Sequence, residues 1–135
     1  MDPAVDDPTA PYHAHIYYTA ESRDVAANLR DRLRNPTETP SAPILSFVGL
    51  LRDHPVGPHP EPQFEIHFLK AVLPDILPIL TASGLRVLVH PLTDDDLADH
   101  TTLGTWIGEP LALDLTTLDP PGVNQGVPRF GRTDF

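Results

Sequence analysis

Residues 12–18 read YHAHIYY, and the phase of that stretch decides how the rest of the chain can pack. In an extended strand the side chains alternate with period 2. Ala14, Ile16 and Tyr18 then share one side, and His13, His15 and Tyr17 share the other. The same alternation recurs at 63–69, QFEIHFL, where Phe64, Ile66 and Phe68 oppose Glu65 and His67. It recurs again at 86–92, RVLVHPL, where Val87 and Val89 oppose Leu88 and His90. A slip of one residue would exchange the phenylalanines for the imidazoles, so the apolar sets dictate the inner face. His13, His15, Glu65, His67 and His90 are thereby expected together on the second face of one small antiparallel sheet. Such a face can stay open to a ligand or a partner.

Between these strands the pattern changes to helical. Ser22 is placed to cap a helix running to about Asn35, with Val25, Leu29 and Leu33 as its apolar stripe. Residues 44–51, ILSFVGLL, form a uniformly apolar run that suits a strand but has no phase to read. A second helix is expected over about 71–82, with Val72, Leu73, Ile76, Leu77 and Leu80 inward. Pro74 is tolerable in its first turn, Pro78 should kink it, and Gly84 should stop it. Thr93 and Asp96 suggest a capped short acidic helix, and LALDL at 111–115 suggests a last edge strand. The order strand, helix, strand, strand, helix, strand predicts an α+β ferredoxin-like sandwich. Its parts are a four-stranded antiparallel sheet, two helices on one face, a short extra helix and a C-terminal extension. Residues 1–11 are expected as a disordered arm, 12–118 as the domain and 119–135 as a tail.

The composition narrows the chemistry. A chain of 135 residues supports one domain. Seven histidines and no cysteine favour a site of imidazole and carboxylate, and exclude disulfides and thiolate ligands. Lack of cysteine suits a reducing cytoplasm. A formal charge of -10 argues against nucleic acid or an anionic membrane as partner. Imidazoles with a carboxylate suit iron, zinc or manganese, and a His/His/carboxylate set with open positions is the usual non-haem Fe(II) arrangement. Two further histidines could join from loops: His59, held between prolines in GPHP, and His100 on the acidic helix. His54 has no evident duty. Trp106 is expected as core or pocket wall.

Four segments in order, YHAHIYY, HPVGPHPEPQFEI, LRVLVHPLTDDDLADHT and TWIGEPLALDL, resemble the DOPA 4,5-dioxygenase family over roughly 12–115. The resemblance implies extradiol cleavage of a catechol by Fe(II) and O2, although another divalent metal such as zinc could take the place of iron. It implies His15, His59 and His90 as metal ligands, with Glu65 as a competing or neighbouring carboxylate. His13 and His100 are the candidates for acid–base work, and Tyr17 and Trp106 for contact with the substrate. His67 lies outside the family pattern and is expected to be solvated or only locally useful. A homodimer is expected. The competing readings are another metal-assisted activity, such as a hydrolase or isomerase, or a non-catalytic metal- or small-molecule-binding dimer module.

Overall fold

The computed structural model describes residues 8–34, 45–55, 58–92 and 96–117. Its elements are β1 (Pro11–Tyr17), α1 (Arg23–Arg34), β2 (Phe47–Val48), β3 (Gln63–Leu69), α2 (Leu73–Ala82), β4 (Val87–Pro91), α3 (Asp96–His100) and β5 (Thr105–Ile107). A 3₁₀ turn, Lys70–Val72, leads into α2, and another spans Leu115–Thr117. The five strands form one antiparallel sheet in the order β2-β3-β1-β4-β5. β1 is its centre, pairing His15 with Glu65 on one side and with Leu88 on the other.

The phase of the strands is as the alternation required. Ala14, Ile16, Tyr18, Phe64, Ile66, Phe68, Val87 and Val89 form one buried cluster with Leu29 and Leu33 of α1 and Ile76 and Leu80 of α2. Both long helices therefore pack on one face of the sheet. Leu73, Leu77 and Val72 complete the contact from the rim of that core. Within α1 the inward stripe is Ala26, Leu29 and Leu33, while Val25 is exposed. The helix is rotated so that a small residue, not a β-branched one, meets the sheet. Ser22 does stand at the start of α1, since its carbonyl accepts the amide of Ala26, but its hydroxyl turns back to accept the amide of Thr19.

Other expectations shift at the edges. α2 runs on through Pro78 to Ala82; that proline is on its solvent side, where water can satisfy the carbonyl that loses its donor. Gly84 takes φ +75° just beyond the helix, as a glycine stop should. β2 shrinks to two residues, although the amides of Ser46 and Gly49 also donate to β3, to the carbonyls of His67 and Glu65. A Cβ at position 49 would stand 3.0 Å from the Glu65 carbonyl oxygen, so glycine permits that approach. The fifth strand is Thr105–Ile107 and not LALDL, which stays off the sheet and ends in a 3₁₀ turn. Residues 8–11 are not loose: the Pro8 and Ala10 carbonyls accept amides of Ala71 and Lys70, and Ala10 is in the core. Thr93, proposed as a cap, and the tail beyond Thr117 lie outside the described residues.

The largest departure concerns the second face. It is not open. His13, His15, His67 and His90 have no exposure, Glu65 has 1%, and even His59 and His100 keep only 1–2%. The chain covers this face itself: His59 lies tilted against His15 at 4.1 Å between ring centroids, and His100 against His90 at 4.2 Å. Trp106 lies over Tyr17 at 5.7 Å, and Phe47 over His67 at 4.6 Å. Strand periodicity could show which residues share the face but not what would fold across it.

Candidate metal centre

The geometry begins with two hydrogen bonds that fix ring nitrogens. His90 donates its Nδ1–H to the backbone carbonyl of Pro91 at 2.7 Å. His15 donates its Nδ1–H to Oε1 of Gln63 at 3.1 Å. In their neutral forms both rings therefore present a lone pair at Nε2, and those two Nε2 atoms stand 2.9 Å apart. Two buried lone pairs at that distance repel unless a proton or a metal ion lies between them. Two nitrogens bound at right angles to one metal, each at about 2.1 Å, would lie about 3.0 Å apart. The donor set thus fits a metal, and the Gln63 and Pro91 oxygens are the outer partners that orient such ligands.

His59 approaches from the segment between β2 and β3. Its Nδ1 shares a 2.6 Å hydrogen bond with the Tyr17 hydroxyl. The segment is anchored at both ends. On one side, Asp53 receives a two-point bond from Arg23 (2.8 and 3.1 Å) and a third from the Tyr18 hydroxyl (2.7 Å). The bonds from Arg23 and Tyr18 hold the Asp53 carboxyl down at about 2. Burial, reinforced by Asp53, pushes the Tyr18 phenol up. Farther along, the Pro58 carbonyl accepts the amide of Asp114 and the Pro62 carbonyl that of Tyr18. These ties place an imidazole from a proline-rich loop against a strand.

Among the described residues, three groups of side chains have ligand atoms mutually within 4.8 Å: His13, His15 and His90; His15, His59 and His100; and His13, Glu65 and His67. His15 is common to the first two. Glu65 is grouped with His13 and His67, its Oε2 lying 3.3 Å from His13 Nδ1 and 3.0 Å from His67 Nε2. His67 is thus fully buried among ionisable neighbours, not solvated. His54 is exposed and bonds only to the adjacent Pro55 carbonyl among the contacts described.

A cleft of about 380 Å³ opens beside this cluster, walled by His100, Trp106, Leu111, Leu113 and Leu115. Trp106 faces it, whereas Tyr17 lies behind Trp106 at 2% exposure. Two buried polar residues near the site escaped the sequence reading. Gln63 shares the phase of Glu65 and His67, so the alternation carried its signal. Asp99, fully buried beside His100, gave none.

A buried, histidine-lined cluster at the mouth of a small apolar cleft, on one face of an antiparallel sheet, marks the chain as a metalloprotein-like α+β domain. Residues 12–117 match the model of the Dopa 4,5-dioxygenase family, and the chain belongs to that family. It is 30% identical over 126 residues to a DOPA 4,5-dioxygenase of Amanita muscaria, covering 87% of this chain and 54% of that protein. It is 31% identical over 120 residues to an uncharacterized 21.2 kDa protein of Botryotinia fuckeliana, covering 78% of this chain and 61% of the relative. The chain thus spans little more than half the length of these curated relatives. A crystal structure of a proposed dioxygenase from Nostoc punctiforme superposes with a TM-score of 0.70 at 37% identity. That match covers 79% of this chain and 89% of the other. Among the described residues no helix is long and apolar enough to cross a membrane.

Proposed function

We propose that this chain is a non-haem Fe(II)-dependent extradiol dioxygenase that opens the ring of a catechol. The observation that carries the reading is the facing pair of Nε2 atoms of His15 and His90, 2.9 Å apart with both Nδ1–H groups already committed. His15, His59 and His90 are the ligands we propose for the iron; the close groups join His15 to His90 and His15 to His59 separately, so His15 is the shared member, and Glu65 acts next to them through His13. Iron, when bound, supplies the electron transfer between catecholate and O2 that no side chain in the cluster provides.

The remaining work falls to the protein. Trp106 and the leucines of the cleft offer a flat apolar wall for the aromatic ring, in a volume suited to one small ligand. His100 both lines that cleft and lies against the His90 ring, which supports it as the group that takes a proton from a catechol hydroxyl and returns it during ring opening. His13, on the other side of His15 and His90, is the second candidate for that exchange. Tyr17 positions His59 and supports Trp106 from behind. Burial of the whole cluster keeps bulk water from the reacting ring. The β2-β3-β1-β4 order with both long helices on one face supports a ferredoxin-like sandwich extended by β5. A homodimer, which we also expect, uses some surface other than the histidine face.

The test is anaerobic reconstitution with Fe(II), addition of a catechol, then air. Oxygen uptake with growth of a yellow ring-opened product is expected. No uptake with any of several simple catechols would sink the reading.

A further inference from the structure

The cleft beside the histidine cluster holds more than a bare catechol fills, and its walls discriminate by charge. Resting on the dioxygenase reading of the same site, we propose that the substrate is a catechol with a neutral, apolar substituent, which this cleft takes against Trp106, Leu111, Leu113 and Leu115.

Three observations carry it. The first is volume and direction. About 380 Å³ lies in the range that encloses drug-sized ligands, more than one six-membered ring requires. Among the described residues, His100 is the one wall residue that also belongs to a histidine group, with His15 and His59. The diol therefore belongs at His100, and whatever else the ring carries extends along the tryptophan and the leucines.

The second is the chemistry of those walls. Besides His100 and Thr101, the described residues around the cleft are tryptophan, leucine and alanine, with no lysine or arginine among them. Thr101 gives its hydroxyl hydrogen to the Leu97 carbonyl at 2.6 Å. A carboxylate buried here would have no counter-charge. The chain's formal charge of -10 adds to the cost of bringing in an anion. Two carboxylates also stand close in sequence: Asp99, fully buried, adjoins His100, and Asp114 lies between Leu113 and Leu115. An alkyl or aryl substituent meets none of these penalties and gains by leaving water.

The third is that the wall is built into the fold. The Asp114 amide donates to the Pro58 carbonyl at 2.8 Å, one residue before His59. Asp114 Oδ1 accepts both the amide (3.1 Å) and the hydroxyl (2.5 Å) of Thr116, which fixes the turn that carries Leu113 and Leu115. Tyr17 backs Trp106 at 5.7 Å with the ring planes 22° apart, so the other face of the indole is left to the cleft. The apolar wall is thereby tied to the segment that brings His59 to the cluster.

The experiment compares 4-propylcatechol with 3,4-dihydroxyphenylacetate, which share the diol and differ by an ethyl group in place of a carboxylate. Trp106 is the chain's one tryptophan and lines the cleft, so its fluorescence reports occupancy. The full-length protein is supplied with Fe(II) under nitrogen and titrated with each compound, and air is then admitted. Half-saturation with 4-propylcatechol is expected at a concentration at least about tenfold lower. Equal binding, or tighter binding of the acid, overturns the proposal, as does Trp106 emission that responds to neither compound. Leu115→Arg, at a position 43% exposed, should tighten binding of the acid by about tenfold. A variant shown to be folded by circular dichroism that keeps the natural preference overturns the assignment of the substituent to this cleft. The outcome separates from the dioxygenase reading. Preference for 4-propylcatechol without oxygen uptake leaves the specificity of the cleft standing and removes the reaction, and oxygen uptake with both compounds bound equally does the reverse.

Discussion

The two faces of the sheet are buried almost equally, yet they are stabilised by opposite means. Under α1 and α2, Ala14, Ile16, Phe64, Ile66 and Phe68 are fully enclosed by other hydrocarbon groups, and dispersion and the hydrophobic effect suffice. One residue along each strand, His13, His15, Glu65 and His67 are enclosed as tightly. Nothing apolar can satisfy their nitrogens and oxygens. That face is stable through hydrogen bonds and ring contacts, and its clustered donors could hold a metal ion. Equal burial therefore means structure on one side and chemistry on the other, and substitutions should separate the two.

The largest effect is expected in the apolar face. Phe64→Ala should cost about 3–5 kcal/mol of folding stability, by loss of buried area and the cavity left behind. Urea unfolding of the metal-free protein measures it, and a loss below about 1 kcal/mol would erase the contrast. On the histidine face, His15→Ala should leave metal-free stability far less changed. It should weaken retention of the metal by at least about a hundredfold, because His15 belongs to two of the ligand groups. Competition with a chromophoric chelator reads this directly.

Smaller effects sharpen the same contrast. Gln63→Leu removes the acceptor for the His15 Nδ1–H, so metal affinity should fall about 10–100-fold with the ligands themselves untouched. Tyr17→Phe removes only the hydroxyl at His59, and about a tenfold loss is expected. The smallest effect lies at the anchor of the His59 segment. Asp53 is held at about 2 in the folded protein, below the ordinary value of about 3.9 for a free aspartate. Its contribution is therefore present above roughly pH 4 and is lost as pH falls through about 2. The urea midpoints of natural and Asp53→Asn proteins should differ slightly at pH 7 and converge near pH 2. A constant gap would show that the clamp acts through shape and not through charge.

Much of this was legible in the chain. Period-2 alternation assigned Ile16, Phe64 and Val87 to one face and His15, Glu65 and His90 to the other, and the structure keeps every one of those assignments. Helical spacing located α1 and α2 to within a residue or two, though Ala26 replaced Val25 in the stripe, since propensity does not fix helix rotation. Short elements were weaker. TWI became the fifth strand because β4 offered it a free edge, which no local pattern announces.

What the sequence determined by itself is which side chains share a face, because strand geometry is local and a one-residue slip would expose the core. It also determined that the site must be built from imidazole and carboxylate, since the chain has no thiol. What only the tertiary structure decided is that this face is closed, that His59 and His100 descend onto it, and that Glu65 pairs with His13 and His67. Those are contacts between segments far apart along the chain. Their distances depend on loop closure and packing, which no short window of residues encodes.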